Sequence, residues 1–106
     1  MLTNAKLERL YRYYNRKYFG GKLPVVKVKF TDLIDKYGAV GNTHYEARVP
    51  EMILIDKTLR RWNITARLTL LHEMVHVKLP YKIVHGKMFE KEMRRLARLG
   101  AFTGLW

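Results

Sequence analysis

From Asn63 to Lys78 the chain carries neither glycine nor proline and is apolar on nearly every side. Ile64, Leu68, Leu71 and Val75 recur at helical spacing, and Leu70 and Val77 fill the flanks of that stripe. Such a segment reads as a helix packed through the centre of a domain, with Asn63 as its N-cap. A second line of residues, Thr65, Thr69, His72 and His76, runs alongside the stripe. Within it stands His72-Glu73-Met74-Val75-His76, an H-E-x-x-H pattern. Residues four apart share a helix face, so both imidazoles can close on one metal ion. One feature thus constrains fold and chemistry together: a buried central helix able to hold a metal.

Two imidazoles and a more distant third ligand, with no fourth in view, make up an open catalytic zinc site rather than a closed structural one. His85 is the first choice for that third ligand. The line His85, Phe89, Met93, Leu96 keeps the spacing of one apolar helix face, which would aim His85 at the core from the start of a last helix. Glu90 and Glu92 are the alternatives, since a carboxylate on a following helix can also ligate zinc; both also read as solvated helix charges. His44 sits in a polar, hairpin-like stretch and reads as a surface residue. Glu73, beside the first ligand, can accept a proton from water at the metal. The pattern implies a hydrolase with one zinc per chain and a protein or peptide substrate. Tyr81 and Tyr37 are candidates for oxyanion stabilisation, although both read first as structural.

At 106 residues the chain is expected to form one domain, 1–106, with a small core. No apolar run is long enough to span a membrane, and the first residues lack the apolar segment of a signal peptide, so a soluble cytoplasmic protein is expected, a monomer by default. The absence of cysteine excludes disulfides, zinc ribbons and thiol nucleophiles. Charge is more telling: 21 Lys and Arg against 9 Asp and Glu leave +12. That surplus invites a polyanion, most simply DNA, although an acidic protein or an anionic membrane surface would satisfy the same charge. Lys87, Lys91, Arg94 and Arg98 share one face of the last helix, with Arg95 beside them, and form the candidate nucleic-acid contact. Arg9, Arg12 and Arg16 make a second set. Either set also reads as a solubilising helix face.

A first helix is predicted over residues 3–19, with Leu7, Leu10, Tyr11, Tyr14 and Tyr18 inward and Gly20-Gly21 ending it. Val26, Val28 and Phe30 alternate with lysines, which predicts a half-buried strand. A second strand is predicted around Tyr37 to Val40, with a turn near Gly41-Asn42. A third runs from Glu51 to Ile55, buried on both faces. The metal-binding helix follows at 63–78, then a last helix at about 85–99. The apolar tail from Ala101 to Trp106 is open to two readings, a cover for the core or an occupant of the cleft. The fold class is therefore α+β, a small three-stranded sheet against helices in the order α-β-β-β-α-α. A sheet edge near the metal would suit an extended peptide bound by strand addition.

Several of these stretches resemble the SprT-like zinc metallopeptidase family. Tyr11-x-x-x-Asn15-x-x-Tyr18-Phe19-x-Gly21-x-Leu23-Pro24 is similar to its opening helix and turn. Gly38 to Gly41 and the strand ending at Ile55 resemble its middle. Leu70-Leu71-His72-Glu73-Met74-Val75-His76 and His85-Gly86-x-x-Phe89 resemble its zinc site. The resemblance implies a zincin-like fold, His72, His76 and His85 as zinc ligands, and Glu73 as general base. It favours His85 over either glutamate, gives Gly86 the tight turn into the last helix, and puts Phe89 beneath the site. It also implies peptidase action on DNA-associated or DNA-crosslinked proteins. Two departures are visible: Lys87-Met88 stands where Pro-Glu is common, and there is no cysteine zinc ribbon. A rival reading, a basic nucleic-acid-binding module with a non-catalytic metal, uses the same charges.

Overall fold

The computed structural model describes residues 1–83 and 85–105. Helix α1 (Asn4–Tyr18) starts where the Thr3 hydroxyl accepts the Lys6 N–H, and it buries Leu7, Tyr11, Tyr14 and Tyr18. Strand β1 (Lys27–Thr31) follows, then a single helical turn α2 (Ile34–Tyr37), strand β2 (Gly41–Glu46) and strand β3 (Val49–Asp56). A 3-10 turn (Lys57–Arg61) leads into α3 (Asn63–Lys78), and α4 (Lys87–Arg98) closes the order. The sheet order is β1-β3-β2, with β1 parallel and β2 antiparallel to β3. Its inner face, Val28, Phe30, Ile53 and Ile55, packs with α1 and α3 into one core that includes Leu70, Leu71, Met74 and Val75.

The α+β class and three-stranded sheet agree with the sequence reading, and four elements differ in placement. Residues 37–40 are not a strand: Tyr37 ends α2, and Gly38 closes that turn at φ 67°. Gly41-Asn42 is not a turn but the start of β2; the hairpin reverses at Ala47-Arg48, both at positive φ. Asn63 is the first helical residue, and Trp62 takes the capping position without a side-chain bond. Ile64 is exposed, so the buried face of α3 begins at Ala66, with Leu68 only partly buried. The last helix starts at Lys87, which leaves His85 on the loop before it. Of the tail, Ala101, Phe102 and Leu105 are buried in the core; Trp106 lies outside the described residues. No helix among the described residues is long and apolar enough to cross a membrane.

One buried carboxylate ties the fold together. Asp56, 1% exposed, accepts the Leu33 and Ile34 N–H groups at 2.8 Å with Oδ1, and the Thr58 N–H and hydroxyl with Oδ2. Burial pushes its pKa up, but these four bonds outweigh it and hold the carboxyl well below the usual range. The ionised form is thus favoured on folding. Its contribution is present above the unfolded value of about 3.9 and fades as pH falls below it. Asp56→Ala is expected to cost roughly 3 kcal/mol in urea unfolding at pH 7, because the Leu33, Ile34 and Thr58 N–H groups lose their acceptor. Asp56→Asn should flatten the fall in stability between pH 5 and pH 3.

Candidate metal centre

Two helical turns and one loop build the site. His72 and His76 lie on one face of α3 with ring centroids 5.1 Å apart, half-buried. Pro80 helps end α3, and the Ile83 N–H donates to the Pro80 carbonyl, which turns the chain back. Gly86, at φ 126°, allows the abrupt turn into α4, whose Glu90 N–H donates to the Gly86 carbonyl. Between these turns His85 returns to α3, its Nε2 3.3 Å from that of His72. One ring nitrogen from each of the three histidines lies within 4.8 Å of the others. Phe89, on the first turn of α4, sits against all three rings at 4.8–4.9 Å. It limits how far the imidazoles can rotate away.

The donor set fits zinc. Two imidazole nitrogens sharing a tetrahedral zinc at ~2.0–2.1 Å must stand about 3.3 Å apart, as His72 and His85 do. Ligation also requires free lone pairs. Burial first, then the neighbouring His72 and His85, lowers the His76 pKa to about 4; burial and His85 lower that of His72. Both rings are therefore neutral at physiological pH and able to ligate.

Glu73 projects from α3 toward β2 and is only 5% exposed. The Thr43 hydroxyl donates to Glu73 Oε1 at 2.8 Å and stands 3.3 Å from its backbone carbonyl oxygen. Burial pushes the Glu73 carboxyl up to about 7, against the lowering pull of that hydroxyl. Gly41 lets β2 approach this closely: a Cβ there would lie 2.5 Å from the Thr69 methyl and 3.1 Å from Glu73 Oε2. The Tyr45 hydroxyl donates to the His76 carbonyl at 3.1 Å, and Tyr81 packs edge-on against Tyr45 at 5.4 Å. Gly41, Thr43, Tyr45 and Tyr81 join the three histidines and Glu73 around a cavity of about 260 Å³.

The other sequence candidates lie elsewhere. Glu90 is exposed and 4.0 Å from Arg94, while Glu92 accepts from Lys78 at 2.8 Å and from Arg95. Neither joins the histidine group. Tyr37 is 75% exposed and lines no part of the cavity. His44 is exposed on β2, 3.7 Å from Glu51. Lys87, Lys91, Arg94 and Arg98 are exposed on α4; Arg95 differs, being paired with Glu92 with its guanidinium over Phe19. The sequence alone assigns no site role to Gly41, Thr43 or Tyr45. Their link to the site is a strand crossing about thirty residues upstream of Glu73, and only the alternation in Thr43 and Tyr45 hints at it.

No curated protein and no solved structure matches the chain. The profile of the SprT-like family matches residues 7–103. The match spans nearly the whole chain, histidine cluster included, and the chain therefore belongs to the SprT-like family, as a metallopeptidase-like domain.

Proposed function

We propose that the chain is a zinc-dependent endopeptidase, with one zinc held by His72, His76 and His85 and Glu73 as general base. The observation that carries this reading is the convergence of three ring nitrogens within 4.8 Å, beside a buried carboxylate. Zinc held there supplies Lewis acidity toward water and toward a peptide carbonyl. The chain's own groups do the rest. Glu73 takes the proton of the attacking water on its Oε2, while Oε1 stays engaged by Thr43, so the carboxylate is held in one orientation. Its raised pKa makes it a stronger base than an exposed glutamate and able to pass the proton to the leaving amine.

Substrate seating follows from the sheet. β2 pairs only with β3 among the described strands, which leaves its other edge free beside the histidines. An extended peptide added to that edge gains main-chain hydrogen bonds and runs past the three imidazoles. The cationic surface makes proteins held on DNA the substrate class this reading expects.

The test is to strip the protein of metal, reload it with zinc, and follow cleavage of an unfolded protein. One zinc per chain is expected, with cleavage lost on chelation and regained on zinc addition. Absence of zinc binding, or cleavage indifferent to chelator, would refute the reading.

A further inference from the structure

The cations of α4 are partly neutralised, Arg94 by Glu90 and Arg95 by Glu92, which also pairs with Lys78 at the end of α3. The other end of α3 is different. The 3-10 turn Lys57–Arg61 leads directly to Trp62, which is 62% exposed. An indole left this open gives up most of the burial that usually holds the residue in place. Lys57, Arg60 and Arg61 line a concavity of about 470 Å³ with Trp62, and Lys6, Arg60 and Arg61 line an adjoining one of about 420 Å³ with Asn63. Neither lining contains a carboxylate among the described residues. Among the described residues Lys6, Arg60 and Arg61 form no ion pair, and Lys57 has only Asp32, at 3.9 Å.

The turn beneath this surface is held in place by its own contacts. Asp56 caps the turn through Thr58, the Arg60 guanidinium lies 5.4 Å from the Phe30 ring centre, and the Arg60 carbonyl accepts the Leu2 N–H at 2.9 Å. The turn backbone and Arg60 thus have little ordering left to do, while the Trp62 ring stays open to solvent.

We infer that this surface binds single-stranded nucleic acid, with a base stacked on Trp62 and phosphates along Lys57, Arg60, Arg61 and Lys6. Stacking on an aromatic face with cations beside it suits any base, provided the base is not already stacked within a duplex. The ten residues from Trp62 to His72 along α3 correspond to about 15 Å, so a strand bound here leaves the metal cavity open. The inference stands independently of the peptidase reading.

The test is fluorescence anisotropy with labelled 15-mers of oligo-dT and oligo-U, and with a duplex of equal length, over a salt series. Both strands should bind more tightly than the duplex, and the comparison of dT with U shows whether the DNA or the RNA strand is preferred. Trp62→Ala should weaken strand binding roughly ten-fold with the salt slope unchanged. Arg60→Gln with Arg61→Gln should lower the slope by about 1.4, two phosphates' worth. Trp62→Phe should retain most of the affinity. Wild type that binds neither strand, a duplex bound as tightly as a strand, or loss confined to Lys91→Gln with Arg98→Gln would each overturn the proposal.

Discussion

Glu73→Gln is expected to reduce peptide hydrolysis by roughly a thousand-fold while zinc remains bound at one per chain. Glutamine matches glutamate in shape, and its side-chain oxygen can still accept from the Thr43 hydroxyl that now engages Oε1 at 2.8 Å. None of the three imidazoles is touched, so metal affinity should change little. What disappears is the proton acceptor, and among the described residues no second carboxylate joins the cavity to replace it. Stability offers an independent readout. Burial holds the Glu73 carboxyl at about 7, so in metal-free protein its ionisation opposes folding above the unfolded value of about 4.3. Metal-free Glu73→Gln should therefore be the more stable protein at pH 7, by up to about 3 kcal/mol, with the difference vanishing below pH 4. Activity within ten-fold of wild type would remove Glu73 from the role of base. A fall in zinc content would show instead that the substitution had disturbed the site.

Local sequence patterns encode much of this architecture. The α3 helix was legible because its apolar residues recur at helical spacing and no glycine or proline interrupts them. The placement of His72 and His76 followed from that period alone. The region from Leu33 to Arg48 was not legible, and the causes are specific. The α2 turn rests on Asp56 accepting two N–H groups from more than twenty residues upstream, a bond no local pattern reports. The hairpin turns through Ala47-Arg48, both left-handed, although glycine and asparagine occur nearby at Gly41-Asn42 and drew the expected turn there. That misplaced turn hid β2, and with β2 the whole wall of the site that carries Gly41, Thr43 and Tyr45. The parallel pairing of β1 with β3 was likewise beyond reach, since pairing depends on contacts distant in sequence. His85 was foreseen on a helix and stands on a loop; Gly86 and the Phe89 ring, rather than helical periodicity, bring it to its partners.

That loop position makes His85→Ala the more revealing ligand substitution. His72 and His76 are half-buried within α3, so removing either confounds metal loss with damage to the helix. His85 is exposed and precedes α4, and its loss should change the stability of metal-free protein by no more than about 0.5 kcal/mol. With zinc the outcome should differ sharply. Losing one of three imidazoles is expected to weaken zinc binding by roughly a hundred-fold or more, beyond the upper range for loss of a partner that only supports a ligand. Because zinc stabilises the fold in proportion to the logarithm of its binding, the zinc-induced gain in stability should shrink by about 2.7 kcal/mol at a concentration that saturates wild type. Thermal unfolding with and without zinc reads both quantities in one experiment. If His85→Ala kept full zinc affinity, the third ligand would have to be another group, and Glu90→Gln and Glu92→Gln would identify it. Since Glu92 is already bound to Lys78 and Arg95 and Glu90 faces Arg94, neither carboxylate can reach the histidines without breaking those pairs, and the expected result is that both glutamine variants bind zinc as wild type does.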